Sequence, residues 1–315
     1  VPSGARAVVL DVQTSAAVAA GRLVVYAGPA AGRTSCAAPP AIATVDIVAR
    51  SASSNQVVVP LGPSGDVCVA STVAAHVVLD VQGFAPSSTT YRVARSVRLV
   101  DTRPTGATVD GRFARDGARG AGSVYRVAIA GRTGSGIPAG ARIAVLDVTA
   151  LGSSGPGEVT VFDCGTRPDV ATIVMRAGGP VSNEVMVPLS SAGEVCLATT
   201  ARTHLTVDAV GSVVAPTAYV PLGSARIVDT RSGRTTVDGL YQAGGPLTAG
   251  VTQTYQVTGR GGVAIGATSV TLTVRVSAQQ AGSLTFSTCG VVPRTSTVSF
   301  VAGTDRVDEI VVPVS

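Results

Sequence analysis

The stretch "VRLVDTR" at Val97–Arg103 returns as "ARIVDTR" at Ala225–Arg231, 128 residues later (225 − 97). The tripeptide "VDG" at Val109–Gly111 returns at Val237–Gly239 with the same offset. A repeat of this length is much longer than the roughly 20–50 residues of a solenoid repeat, and it is a normal size for a domain with its own core. The chain is therefore predicted to be a tandem array of similar domains, arranged as separate beads.

Alignment of the repeats predicts three units, at residues 1–86, 87–214 and 215–315. The second unit is complete, whereas the first is expected to lack its N-terminal part. "VVPVS" at Val311–Ser315 matches "MVPLS" at Met186–Ser190, so the third unit is expected to lack its C-terminal strands. Two alternatives follow: the chain is a fragment of a longer array, or neighbouring chains supply the missing strands.

The composition favours strands over helices. Hydrophobic residues make up 45% of the chain but aromatic residues only 3%, while 37 Gly and 18 Pro supply turns. In the second unit, apolar and polar residues alternate over eight predicted strands, near Arg92–Asp101, Val124–Ala130, Ala141–Thr149, Glu158–Asp163, Val170–Arg176, Asn183–Pro188, Glu194–Thr199 and His204–Val210. This pattern predicts an all-β fold of tandem antiparallel β-sandwich domains, jelly-roll-like, with roughly 128 residues per repeat. Linkers are predicted at Ala85–Thr90 and Val213–Ala218.

The cysteines indicate a cellular compartment. Cys36 and Cys68 are 32 residues apart, and so are Cys164 and Cys196, which predicts one disulfide in each of the first two units. Zinc binding is the alternative, but two Cys without CxxC spacing or a nearby His make a poor zinc site. Persistent disulfides imply an oxidising location outside the cytoplasm. Cys289 is the third-unit equivalent of Cys164 and is predicted to be unpaired or bonded to another chain.

The Asp-Thr-Arg triplet places opposite charges two residues apart, at Asp101 and Arg103 and again at Asp229 and Arg231. Two such residues share a face when they lie on a strand, and here the triplet ends a strand and enters a turn. These four residues are predicted to form structural ion pairs that fix the exit of the strand. The alternative is a sugar or anion site, in which Asp accepts hydroxyl groups and Arg offers its fork of N–H donors.

A second repeated pattern places a His four residues before an Asp, at His76 and Asp80 and again at His204 and Asp208. Both members of a pair then lie on one face of a strand, roughly 13 Å apart, which is too far for a direct catalytic pair. Asp80 and Asp208 are instead predicted to meet the arginine of the Asp-Thr-Arg triplet on a neighbouring strand.

Charge and motifs argue against several classes of function. The net charge is +5 and all 24 cationic residues are Arg, which removes chemistry that needs Lys. The Arg residues are scattered and aromatic residues are few, so we expect no nucleic-acid binding. No apolar run approaches the roughly 20 residues of a membrane span. G-x-S-x-G, H-E-x-x-H and EF-hand patterns are missing from the sequence, so we predict no catalytic residue, no cofactor and no metal site.

The ordered set of motifs resembles a known repeat. "RLVDTR", "GEVTVFDCG", "VSNEVMVPL" and "GEVCLATTARTHLTVDAVG" are similar to the LDTR-type β repeat modules of secreted actinobacterial proteins, and the resemblance covers essentially the whole chain. It implies modules that stand in tandem or beside hydrolase domains outside the cell, and thus location more than activity. The chain departs from the pattern at Gly211–Val214, where "GSVV" replaces an aromatic ending, and at Asp308, where the other units have Asn55 and Asn183.

The sequence thus predicts a secreted, non-enzymatic structural or adhesive repeat protein of the cell surface, or a fibre component. Because Val1 is no natural initiator, we expect a mature product from which a targeting segment has been removed. The predicted partners are copies of the chain itself, in head-to-tail assembly, or cell-surface glycans. The alternative function is a carbohydrate-binding module for cell-wall or other polysaccharide, attached to a secreted enzyme.

Overall fold

The computed structural model of the chain describes residues 1–85, 91–214, 219–290 and 297–314. Over these ranges every regular element is a β-strand, and every ladder between named strands is antiparallel. The predicted all-β class is therefore confirmed. The same ranges contain no helix long and apolar enough to cross a membrane. The two predicted linkers fall largely outside the described residues.

The first unit contains six strands: β1 (Ala7–Ser15), β2 (Gly21–Ala27), β3 (Val45–Ile47), β4 (Ser53–Pro60), β5 (Val67–Ser71) and β6 (His76–Ala85). They form two three-stranded sheets in the orders β4-β1-β6 and β3-β2-β5. Small branched side chains fill the space between the sheets, among them Val12, Leu23 and Val45. β-branched residues pack well on a pleated surface, so this core does not need aromatic rings.

The second unit contains eight strands: β7 (Tyr91–Asp101), β8 (Val124–Ala128), β9 (Ile143–Leu151), β10 (Gly157–Phe162), β11 (Ile173–Met175), β12 (Val181–Pro188), β13 (Glu194–Thr199) and β14 (His204–Val213). Two four-stranded sheets, β12-β9-β14-β7 and β11-β10-β13-β8, face each other across one apolar core. Each of the eight predicted strands is present. The largest difference is at Val170–Arg176, where only the three residues of β11 pair with a neighbour.

The third unit contains four strands: β15 (Ser269–Ser277), β16 (Gly282–Leu284), β17 (Val298–Phe300) and β18 (Asp305–Pro313). They form two two-stranded sheets, β15-β18 and β16-β17. Residues 219–268 precede these strands and are equivalent to the start of the second unit. Within them the structure has turns and one isolated bridge, between Asp229 and Gln242, but no named strand.

The two predicted disulfides are present. Cys36 is joined to Cys68 and Cys164 to Cys196, and each bond connects a loop to a strand, the edge strand β5 in the first unit and the inner strand β13 in the second. Each closes a 32-residue separation, which corresponds to about 3–4 kcal/mol on the chain-entropy account. Cys289 is a free, exposed thiol.

The three units are not separate beads, and that expectation is wrong. The backbone N–H of Val58 in β4 donates to Glu184 Oε1 in β12 at 2.7 Å. The N–H of Met186 in β12 donates to Glu309 Oε1 in β18 at 2.6 Å. The N–H of Val311 in β18 donates to Gln56 Oε1 in β4. The bonds run from the first unit to the second, the second to the third and the third back to the first, which closes a cycle.

The three acceptors occupy one repeated position, because Gln56, Glu184 and Glu309 follow the same offsets as the strands that carry them (56 + 128 = 184, 184 + 125 = 309). We call them the ring acceptors. Further bonds between units surround them: the N–H of Ser182 donates to Asp46 Oδ2 at 2.6 Å, and Arg306 Nη2 donates to the carbonyl of Ser54 at 2.7 Å. A cavity of about 20 Å³ lies between the three strands at this centre.

Removal from water changes the acidity of two ring acceptors. Burial raises the pKa of Glu184 to about 8 and, likewise, that of Glu309 to about 8, although each carboxyl accepts a backbone N–H. The unfolded chain releases these protons near pH 4.5. The folded state therefore binds more protons between these two values, and the free energy of unfolding must fall as the pH rises from about 4.5 to about 8.

We expect the double variant Glu184→Gln, Glu309→Gln to lose most of this decline in stability, because Gln56 already fills the equivalent place without a charge. Each pKa unit removed corresponds to about 1.4 kcal/mol. Denaturant unfolding followed between pH 4.5 and 8.5 measures the slope. The control Glu194→Gln alters an acid that pairs with Arg126 at the surface and should leave the slope in place. An unchanged slope in the double variant would contradict the assignment.

Candidate functional site

The Asp-Thr-Arg triplet of the second unit forms a closed turn lock. Strand β7 ends at Asp101, whose carboxylate is buried. Arg103 Nε donates to Asp101 Oδ1 at 2.9 Å and Arg103 Nη2 donates to Asp101 Oδ2 at 2.6 Å, which is a two-point fork. The backbone N–H of Arg103 also donates to Oδ1, at 3.2 Å. Burial alone would raise the pKa of Asp101, but the hydrogen bonds from Arg103 outweigh it and lower the pKa below its ordinary value.

Arg98 connects this lock to its surroundings. Its Nη1 donates to Asp101 Oδ2 at 2.9 Å, and its Nε donates to Asp208 Oδ1 on β14 at 2.8 Å. Its Nη2 reaches the first unit and donates to the carbonyl of Ala41 at 2.7 Å. The guanidinium of Arg98 therefore links the turn at Asp101 to strand β14 and to the first unit.

The prediction that Asp208 bonds to the arginine of the triplet is corrected here. Asp208 lies opposite Arg98 in the β14–β7 ladder, so its hydrogen-bond partner is Arg98 on the strand and not Arg103 of the triplet. Arg103 lies beyond the end of the strand and folds back on Asp101. The sequence did contain a signal for Arg98, because an Arg three residues before the Asp is repeated at Arg226.

Two further acids lie beside Arg98. Burial raises the pKa of Asp208 to about 6, although the charge of Arg98 acts to lower it. Asp147 on β9 lies opposite Asp208, and burial raises its pKa well above the ordinary value, with the charges of Asp208 and Glu184 adding to the effect. Asp147 Oδ1 has no partner among the described residues. The equivalent Asp11 in the first unit is better satisfied, because Gln56 and Gln82 both donate to it.

The third unit carries the same lock, and no described strand of that unit faces it as β14 faces β7. Arg231 Nε and Nη2 donate to Asp229 at 2.9 and 2.7 Å, and these bonds lower the pKa of Asp229 to about 2. Arg226 Nη1 donates to Asp229 at 3.2 Å, and its Nη2 donates to the carbonyl of Asp169 in the second unit at 2.6 Å. Arg226 Nε, which corresponds to the atom that binds Asp208 in the second unit, has no partner among the described residues.

The first unit carries the equivalent of the facing strand, β6, and no lock lies beside it among the described residues. His76 and Asp80 lie on β6, and the side chain of neither forms a hydrogen bond or ion pair with another described residue. In the second unit His204 Nδ1 lies 3.1 Å from the carbonyl oxygen of Thr102. The predicted partner of Asp80, an arginine of a triplet on a neighbouring strand, is therefore not found within the described part of the chain.

A second Arg–Asp fork supports each lock. Arg132 Nε and Nη2 donate to the two oxygens of Asp110, and Arg260 Nε and Nη2 donate in the same way to Asp238 at 2.6 and 2.7 Å. Arg132 Nη1 also donates to the carbonyl of Leu99 on β7. In the sequence, the repeated "VDG" tripeptide identifies Asp110 and Asp238, but it gives no indication that Arg132 and Arg260 are their partners.

The carboxylates of the two locks are engaged by arginines of the same lock. Both oxygens of Asp101 accept hydrogen bonds from arginines and Thr102 is fully buried, whereas the side chain of Arg103 is 42% exposed. Over the described ranges no three His, Cys, Asp or Glu side chains are placed to hold a metal ion. A hollow lies elsewhere, between β10 and the loop that follows it. It has a volume of about 210 Å³ and is lined by Glu158, Thr160, Arg167, Pro168, Asp169 and Val170.

We expect Arg98→Ala to destabilise the chain by about 3–5 kcal/mol, because it leaves the buried Asp208 without its counter-charge. The matched variant Arg226→Ala should cost clearly less, because Arg226 faces no equivalent of Asp208. Denaturant unfolding at pH 7 compares the two. Equal losses would show that the Arg98–Asp208 bond does not stabilise the second unit.

Comparison with known proteins assigns no family to the chain. No protein-family model matches it, and neither a curated protein nor a solved structure is significantly similar to it. The function must be inferred from the residues and their geometry.

Proposed function

We propose that the protein is a non-enzymatic structural repeat protein that works outside the cytoplasm, as a component of a cell surface or fibre. The observation that carries the proposal is the closed cycle between the ring acceptors Gln56, Glu184 and Glu309. Such a cycle, together with two disulfides, makes a rigid block from one chain. Rigid blocks of repeated units suit a load-bearing or adhesive role.

The use of the repeated polar residues supports the same proposal. Asp101, Arg103, Asp229 and Arg231 hold turns, and their charges are neutralised within each lock. The two disulfides are consistent with an oxidising, extracellular location. Copies of the chain are the proposed partners, since strand β6 presents apolar side chains to solvent.

Carbohydrate binding is the second candidate function, and the hollow beside β10 favours it. Asp169 and the second oxygen of Glu158, whose Oε1 already accepts from Arg275, offer carboxylate acceptors there, and Arg167 offers donors, which together suit the hydroxyl groups of a sugar. No aromatic side chain lines the hollow, so the stacking surface on which sugars commonly rest is missing. The structural role is therefore preferred.

Electron microscopy of the purified protein at high concentration tests the structural role. We expect ordered filaments or sheets, because each block is rigid and carries an unpaired sheet edge. A glycan array tests the second candidate with Arg167→Ala as the control. Saturable binding of a glycan that this substitution abolishes, by a protein that stays dispersed, would contradict the structural role.

A further inference from the structure

Strand β6 has one open edge. It pairs with β1 along its whole length and with no second strand among the described residues. Its counterpart β14 lies between β9 and β7, and nearly all its residues are buried. Along β6 the apolar residues face solvent instead: Val77, Val78, Leu79, Val81 and Phe84 are 36–57% exposed. An exposed apolar edge of this kind is a template for another strand.

In the second unit, strand β7 covers the edge of β14 that corresponds to the open edge of β6. The third unit contains a segment equivalent to β7. In the second unit, β7 pairs with β14 from Tyr91 to Asp101. The equivalent residues 219–229 form no ladder with any described strand. We call residues 219–262 the free lock, because the forks Arg231–Asp229 and Arg260–Asp238 hold the segment together from within. Arg260 Nη2 also donates to the carbonyl of Ile227 at 2.8 Å.

The polar groups of the two surfaces complement each other. In the second unit, Arg98 Nε binds Asp208, and His204 lies against Thr102. The equivalent of Asp208 on β6 is Asp80, which forms no ion pair within the described part of the chain. The equivalent of Arg98 in the free lock is Arg226, whose Nε lacks an acceptor among the described residues. The edge of β6 thus carries the acid, and the free lock the cation, that correspond to the Asp208–Arg98 pair of the second unit.

We propose that the free lock of one copy pairs with the open edge of β6 in a second copy, as β7 pairs with β14. Resting on the structural function proposed above, this inference names the partner and the contact. Transfer of the β14–β7 register places Asp80 opposite Arg226, Leu79 opposite Val228 and Ala85 opposite Tyr219. In its own chain the free lock is held outside its forks by a few contacts: Arg226 donates to the carbonyl of Asp169, Tyr219 is half-buried beside Thr271 of β15, and Cys289 donates to Thr254.

Because the two surfaces differ and lie on different units, the contact is heterologous. A heterologous contact adds copies head to tail and makes a ring or a filament, according to whether the rotation closes. The interface would also cover the apolar residues of β6, which removes the exposed edge from water.

Engineered cysteines test the register directly. One preparation carries Leu79→Cys and another carries Val228→Cys, both with Cys289→Ser to remove the native free thiol. After mixing and mild oxidation, we expect a disulfide-linked heterodimer on a non-reducing gel. The control partner carries Val81→Cys, which lies out of register and should give much less product. Equal yields from both pairs, or no heterodimer from either, would overturn the proposed contact.

A charge variant tests the polar contact without altering the fold. Asp80→Asn should weaken self-association, followed by sedimentation equilibrium, at least about tenfold, because Arg226 loses its counter-charge. The control Asp66→Asn removes an exposed carboxylate of the same unit and should leave association unchanged. Filaments that form equally well from the Asp80→Asn protein would overturn this contact and leave the structural role standing. Loss of filaments in the Asp80→Asn variant but not in the Asp66→Asn control would support both the contact and the structural role.

Discussion

The fold depends on one kind of hydrogen bond, from the backbone N–H of an edge strand in one unit to a side-chain oxygen of the next. Strands β4, β12 and β18 are the edges of their sheets, so their outward N–H groups have no ladder partner. An edge left in this state costs about 1–3 kcal/mol for each buried unpaired group and invites pairing with other chains. Gln56, Glu184 and Glu309 satisfy one such group each. Because the bonds between the three units close a cycle, each ring acceptor binds an N–H group of another unit.

The chemistry of the ring acceptors explains why the centre is sensitive to protons. A glutamine and a protonated glutamate both offer a neutral oxygen, so both can accept a backbone N–H in a dry place. An ionised glutamate would bring a charge into the same place, which is why burial raises the pKa of Glu184 and Glu309. The locks work in the opposite sense, because Arg231 keeps Asp229 ionised far into acid. The structure thus separates charged contacts in the locks from neutral contacts at the centre.

Much of the fold within one unit could be predicted from the sequence, because alternation and turn residues are local signals. The disulfides followed from a spacing preserved in two copies. The contact between units could not be read in the same way, since Glu184 looks like an ordinary polar residue on a half-buried strand until its neighbour is known. The locks were predicted in part: Asp101 and Arg103 pair as expected, whereas Arg98, which binds Asp208, went unnoticed. A pattern along the chain does not show which of two arginines lies closer across a ladder.

The open edge of β6 and the free lock each carry a charged residue, Asp80 and Arg226. The equivalent residues in the second unit, Asp208 and Arg98, form an ion pair. The central claim remains that three repeats form one closed block. Small-angle X-ray scattering at low protein concentration tests it most directly. A compact chain of this length has a radius of gyration of about 20 Å, and we expect that value with a single-peaked distance distribution. A much larger radius with separate peaks, as expected for beads on linkers, would contradict the closed cycle.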